Sequence, residues 1–269
     1  MKRFILPQPP DSEGFIRLTG RDYHYLVRVR RLRLGALFPA LLPGGTEVEF
    51  RVHSVDGDTL IGECLTEKGR QAPIQRIPPI LLFQALPKGT KMDLIVRQAA
   101  EGGITEIVPF ASEHSIPKIH GGGEEKLERW ERIVREARQQ SGSGIATAVR
   151  VPLDMDGLLA YWDSIKSGRP GSRGLLFHQD PVDEGSPLEQ GSLHGYLESR
   201  PELTAMVIGP EGGFSPAEVC RFLAAGFKPV KIGDTILRTE TAALYGAAAI
   251  RIILLESASW TYRPQQKIQ

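Results

Sequence analysis

The spacing of apolar and polar positions changes character along the chain. Through the first 65 or so residues it has a period of two: Val48, Phe50 and Val52 are interleaved with Glu47, Glu49 and Arg51. Such alternation predicts half-buried strands, and the Asp56-Gly57 pair in "VDGDT" predicts a hairpin turn before Leu60-Ile61. From Thr66 to Pro79, "TEKGRQAPIQRIPP" carries charge and three prolines with no period, which marks a linker and a domain boundary. Beyond it short apolar runs alternate with amphipathic stretches. Strands are predicted at Ile80 to Phe83, Glu106 to Val108, Leu175 to Phe177, Met206 to Ile208 and Val230 to Ile232. Helices are predicted at Met92 to Ala100, Glu125 to Gln140 and Glu240 to Glu256. Continuous apolar strands alternating with helices imply an α/β domain with a mostly parallel sheet covered on both faces. In such sheets ligands bind outside the carboxyl ends of the strands.

Composition changes this picture little, but charge distribution sharpens it. With 269 residues, 41% apolar and 24% charged, the chain has ordinary globular content and room for two domains. No apolar run is long enough to span a bilayer, and "MKRFILPQPPDSEG" lacks the apolar core of a secretory signal, so a cytoplasmic protein is expected. Cys64 and Cys220 stand apart from any metal-ligand or disulfide spacing and read as small core residues. The six histidines show no HExxH-type spacing, so no metal site is expected. Net charge is +1, yet residues 1–35 hold eight basic residues against three acidic ones, a local +5 that leaves −4 for the rest. A basic terminal module on a mildly acidic body points to a part that grips a polyanion beside a part that does chemistry.

The chemistry concentrates in two glycine turns. "AMVIGPEGGFSPAEV", Ala205 to Val219, runs a strand into a turn and then into a helix start with Ser215 as N-cap, Pro216 at the first helical position and Glu218 closing a capping box. Gly209, Gly212 and Gly213 permit positive φ and close approach of a ligand to the backbone, although a tight connection with no ligand would use the same residues. A dinucleotide is one candidate, with Asp234 as the ribose-binding acid. Against it, G-P-E-G-G-F is not G-x-G-x-x-G, and Glu211 sets a carboxylate where a pyrophosphate belongs. A sulfonium would welcome that carboxylate. The second turn, in "KIGDTILRTETAALYGAAAI", bends at Gly233 and enters a helix at Thr239 to Thr241. Arg238 precedes that helix, where it can act on a developing oxyanion or form an ion pair with Glu240 or Glu211. Gly246 and the alanines around it make the last helix slim enough for close approach of an internal strand or a partner subunit. "HGGG", His120 to Gly123, imitates an oxyanion loop, but no GxSxG nucleophile motif accompanies it; Walker A is also absent.

The pair "IGPEGGFSPAE" and "ILRTETAALYG" resembles the RsmE family, small-subunit ribosomal RNA uracil-N3 methyltransferases of the SPOUT superfamily. Weaker matches lie in "VRRLRLG", "ALPKGTKMDLIVRQAAEGGITEIVPF" and "RWERIVREARQQS", in the family's order. The resemblance implies a SPOUT-type parallel sheet with a C-terminal trefoil knot behind a small PUA-like β-barrel. The corresponding division is 1–70 for the barrel, 71–79 for the linker, 80–257 for the methyltransferase domain and 258–269 for a tail. It further implies a homodimer using helix 240–256 and S-adenosylmethionine held by Phe177, His178, Ile208, Gly209, Pro210, Glu211, Gly212, Ile232, Gly233, Ile236, Leu237 and Arg238. Arg238 is the expected stabiliser of the uracil anion and Glu240 the candidate proton acceptor. Small-subunit RNA, free or assembled, would be gripped by Arg28, Arg30, Arg31 and Arg33 together with Lys88.

The chain departs from the family pattern at Gln98-Ala99-Ala100-Glu101-Gly102-Gly103, where Lys-Ala-Thr-Glu-Leu-Gly is usual, and at His114, Ser143 and Thr235, where arginine is usual. Three readings follow: a uridine-N3 methyltransferase of small-subunit RNA, a SPOUT methyltransferase acting on a different RNA or site, and a non-catalytic ribosome-associated RNA-binding protein of the same fold.

Overall fold

The structure, a computed structural model, describes residues 4–65, 77–115, 123–179 and 192–256. Most of the linker and of the "HGGG" segment, and all of the tail, lie outside the described residues. The chain forms two compact units, Met1–Ile74 with Arg135–Ala146, and Gln75–Val134 with Thr147–Gln269.

The first unit contains strands β1 (Phe4–Ile5) and β2 (Phe15–Thr19), a short helix α1 (Gly20–Tyr23) running into a π-helical segment His24–Val29, and strands β3 (Leu37–Leu41), β4 (Glu47–Asp56) and β5 (Thr59–Leu65). They form one curled sheet in the order β1-β3-β4-β5-β2, a half-barrel antiparallel throughout except for the β1–β3 pair. Val48, Phe50 and Val52 are buried as their alternation predicts, beside Leu18, Leu26 and Phe38. The hairpin turn lies one residue later than expected: Asp56 pairs with Thr59, so Gly57 (φ +53°) and Asp58 are its central residues. At the sheet's edge the backbone N–H of Ile5 donates to Gln139 Oε1 at 2.7 Å, and Arg138 Nη1 donates to the Pro43 carbonyl at 3.1 Å. Both partners come from the returning segment.

The second unit alternates strand and helix. Its elements are β6 (Ile80–Ala85), α2 (Lys91–Glu101), β7 (Glu106–Phe110), α3 (Gly123–Ser141), β8 (Ala148–Val149), α4 (Met155–Gly168), β9 (Arg173–Phe177), α5 (Leu193–Glu198), β10 (Thr204–Ile208), α6 (Pro216–Ala224), β11 (Phe227–Val230) and α7 (Thr239–Glu256). The last residues of α3, from Arg135, belong to the first unit. The sheet is wholly parallel, in the order β11-β9-β10-β6-β7-β8. Every residue of β6 and β10 is buried, because helices cover both faces and no side of the strand meets water. β11 ends at Val230 rather than Ile232: Val230 already pairs with Phe177, the last residue of β9, and Lys231 and Ile232 enter the following loop.

An aromatic layer of Phe83, Phe110, Trp162, Phe214, Phe222 and Phe227 fills the space on one side of this sheet, with Trp162 and Phe227 centroids 4.9 Å apart. Truncating a fully buried ring such as Phe222 costs about 3–5 kcal/mol. On α7, a Cβ added at Gly246 would lie 2.7 Å from Met206 Cε and 2.9 Å from Phe177 Cζ. The slim surface at that position therefore serves internal strands. Among the described residues no helix is long and apolar enough to cross a membrane.

Candidate active site

Because all six strands run the same way, the loops leaving β9, β10 and β11 emerge at one edge of the sheet. They enclose a pocket of about 360 Å³. From β9 it takes Phe177 and His178, from the β10 loop Ile208, Gly209, Pro210, Glu211 and Gly212, and from the β11 loop Ile232, Ile236, Leu237 and Arg238. The two glycine turns thus share one cavity, as their succession in the chain predicts. Gly233, although left-handed at φ +60°, is outside the lining, and so is Glu240. One Glu240 oxygen, Oε2, is buried without a hydrogen-bond partner among the described residues. Thr239 and Ala242 line the pocket in its place.

Several ties hold the β10 loop. Ser215 and Glu218 form the capping box, with Oγ accepting from the Glu218 N–H at 3.3 Å and the Glu218 carboxylate accepting from the Ser215 N–H at 2.9 Å. The other Glu218 oxygen accepts from the Glu113 N–H at 2.8 Å, so the loop after β7 is bound to the same helix start. His114 lies 3.1 Å through Nδ1 from the carbonyls of both Gly212 and Gly213; carbonyls only accept, so Nδ1 carries the proton. A Cβ at Gly212 would sit 2.9 Å from His114 Cβ, which leaves no room for a larger residue while the imidazole stays. Of the three glycines of this turn, only Gly213 needs positive φ, at +70°.

Glu211 has protein partners besides its place in the lining. Its carboxylate accepts from Lys91 Nζ at 2.6 Å and from the Lys88 N–H at 3.2 Å. Burial pushes its pKa up, but the hydrogen bonds from Lys91 and the Lys88 backbone, with the Lys91 charge, outweigh that and hold it below the usual glutamate range. Glu211 is thus a strut between the β10 loop and the start of α2 as well as part of the pocket lining. Arg238 differs: it is exposed and forms no ion pair with Glu211, Glu240 or any other described residue. Ile236, two residues before it, is 84% exposed.

The second loop is tied through Thr239, the first residue of α7. Thr239 Oγ1 donates to the Gly209 carbonyl at 2.7 Å and accepts from Gln84 Nε2 at 3.0 Å. A polar residue in the buried run "ILLFQA" was the only signal for this contact.

Comparison with known proteins agrees with this geometry. The model of the RNA methyltransferase domain matches residues 75–251, which contain the whole pocket. The chain belongs to the RNA methyltransferase family. Its relatives include ribosomal RNA small subunit methyltransferase E of Synechocystis, 32% identical over 94% of this chain and 78% of that one. The Bacillus subtilis protein of the same name is 29% identical, with 93% and 96% covered. A crystal structure of ribosomal RNA small subunit methyltransferase E from Neisseria gonorrhoeae bound to S-adenosyl methionine superposes with a TM-score of 0.71 at 25% identity, over 94% of this chain and 98% of that one.

In this RNA methyltransferase the predicted basic residues divide. Arg28, Arg31 and Arg33 are exposed in the first unit beside exposed Val29 and Leu34, whereas Arg30 lies over the Phe38 ring at 5.2 Å. Lys88 is exposed in the second unit, its backbone on Glu211. Among the residues that differ from the family pattern, Thr235 is exposed in the β11 loop, and the Ser143 N–H donates to Ser141 Oγ at 3.2 Å. Gln98 and Gly102 line a groove of about 390 Å³ between α2 and α7, where Arg251 Nη1 donates to the Gly103 carbonyl at 3.3 Å.

Proposed function

We propose that the chain is an S-adenosylmethionine-dependent methyltransferase that modifies uridine N3 in small-subunit ribosomal RNA. The observation that carries this reading is the convergence of the glycine loops on one pocket, with a guanidinium at its margin, Arg238, that forms no ion pair among the described residues. The pocket suits the cofactor. Its volume falls within the range of small-molecule sites, and Phe177, Ile208, Ile232 and Leu237 supply apolar walls beside the backbone groups of the β10 loop. When bound, S-adenosylmethionine supplies the methyl group. The protein's own task is to place a uracil ring in line with it, exclude water, and stabilise charge on the ring oxygens as the N3 proton departs. Arg238 is suited to that last role. Glu240 lies outside the lining, and its position in the first turn of α7 supports favouring the helix dipole over accepting the proton.

RNA is gripped, in this reading, by Arg28, Arg31 and Arg33, with Arg30 and Lys88 adding charge. The active form is a homodimer: Leu244, Ala248 and Ile252 form an exposed apolar stripe on α7, a surface suited to a second copy. The C-terminal segment threads the trefoil knot of the SPOUT fold, a reading supported by the insertion of β10 between β6 and β9. His114 favours a second reading, the same chemistry on another uridine: its imidazole is engaged by the Gly212 and Gly213 carbonyls and cannot replace a free arginine on RNA.

Calorimetric titration with S-adenosylmethionine tests the cofactor. Mapping of N3-methyluridine in small-subunit RNA from cells lacking the protein tests the target, and loss of a different methylated uridine would select the second reading. Replacing Arg238 with Ala should lower the methylation rate about 10²- to 10³-fold. A full rate in that variant removes the assigned role.

A further inference from the structure

We infer that Gln84 is a positioning residue for the pocket: through a one-way hydrogen-bond relay, Gln84 amide to Thr239 hydroxyl to Gly209 carbonyl, it locks the loops after β10 and β11 together. The inference rests on the reading of this pocket as the cofactor site.

Gln84 is wholly buried near the carboxyl end of β6, and Thr239 is 5% exposed. The side-chain atom of Gln84 that lies 2.9 Å from the Ala85 carbonyl must be the amide nitrogen, because that carbonyl has no hydrogen to give. Its second hydrogen goes to Thr239 Oγ1, 3.0 Å away. With that oxygen accepting, the Thr239 hydroxyl is free to donate to Gly209 at 2.7 Å, and the direction of the chain is set. Among the described residues Gln84 Oε1 is buried without a partner, a cost that an apolar residue filling the same space would not carry.

The consequence reaches the pocket at two points. Thr239 opens α7 directly after Arg238, so holding it fixes where the guanidinium leaves the backbone. Gly209 opens the loop that contains Glu211 and Gly212, and its carbonyl is anchored by the same hydroxyl. Gln84 does not line the cavity and acts only through Thr239.

Gln84→Glu separates relay from bulk, since the two side chains have the same shape. When protonated, the introduced carboxyl has one hydrogen, which can go to Thr239 and keep the relay while the bond to the Ala85 carbonyl is lost. When ionised, it offers oxygen to both the Ala85 carbonyl and the hydroxyl, which draws the hydroxyl away from Gly209. Burial raises the pKa of such a carboxyl above the usual value of about 4.3. Calorimetry with S-adenosylmethionine should therefore show the variant within about twofold of wild type at pH 5.5 and about tenfold weaker at pH 8. Gln84→Met should lose affinity equally at both. A defect in Gln84→Glu that is equal at the two pH values, or absent at both, overturns the relay.

Thr239→Val and Thr239→Ser give an arm independent of the folding of the Gln84 variants. The valine should weaken binding about tenfold and the serine, which keeps the hydroxyl, should restore it to within about twofold; equal behaviour of the two overturns the proposal. Failure of the wild type to take up S-adenosylmethionine sinks the cofactor reading alone. The relay is then judged by thermal unfolding: Thr239→Val should melt several degrees below Thr239→Ser, which keeps the hydroxyl. Equal melting of the two overturns it.

Discussion

Arg31 combines a backbone cost with a proposed electrostatic role, and two substitutions separate them. Its φ is +54°, in the left-handed region, at the close of the π-helical segment where the Leu32 N–H donates to the Leu26 carbonyl at 3.0 Å. A side chain with a Cβ pays about 1 kcal/mol there, and glycine does not. Arg31→Gly and Arg31→Ala both remove the charge, but only the first removes the strain. The glycine variant should be the more stable of the two by about 1 kcal/mol, which is a Tm higher by a few degrees. Their RNA binding should be the same.

The size of the binding effect follows from counterion release. Arg28, Arg31 and Arg33 form no ion pair among the described residues and are free to neutralise phosphates. At about 0.7 per contact on single-stranded RNA, three contacts give a slope of log affinity against log salt near −2.1, and two contacts give about −1.4. Raising salt from about 50 to about 200 mM should weaken wild type about 18-fold and either variant about 7-fold. Fluorescence anisotropy with a small-subunit RNA fragment over that range, beside differential scanning calorimetry, reads both quantities. An unchanged slope in the variants refutes the RNA role of Arg31. Glycine and alanine variants of equal stability refute the strain argument.

Two further predictions concern titratable groups. Glu211 is held below its ordinary value of about 4.5, so its contribution to stability is complete above that pH and is lost as pH falls through the lower folded value. The stability gap between wild type and Lys91→Met, from urea unfolding, should be constant above about pH 5.5 and close on acidification; a gap unchanged down to about pH 3 contradicts the Lys91 pairing. Burial, helped by Asp11, pushes the Cys64 thiol up to about 11, while Cys220 is exposed. At about pH 8 Ellman's reagent should therefore titrate one thiol in the native protein and the second only on unfolding, and two native equivalents would contradict the burial of Cys64.

What was legible in the sequence was local. The capping box could be read because Ser215 and Glu218 are three residues apart, and β6 and β10 because burial on both faces makes a strand continuously apolar. The order of a parallel sheet has no such signal, since each pairing depends on contacts made elsewhere in the chain. β8, with two residues, has no period to detect, and nothing in the amphipathic run of α3 marks the point at Arg135 where the helix passes from one unit to the other.

The pocket divides in the same way. Each glycine loop announced itself, but the struts between loops did not, because a polar side chain advertises a need for a partner without naming it. Glu211 invites a cation, and Lys91, 120 residues earlier, supplies one within the protein. Gly212 meets His114 across 98 residues, and Gln84 meets Thr239 across 155. A lone glutamine in an otherwise buried apolar strand must find hydrogen-bond partners or destabilise the core, so its presence already required a tertiary contact at the sheet's carboxyl edge. Only the strand order, which brings that edge beneath the start of α7, decides that the contact falls on the hydroxyl beside Arg238.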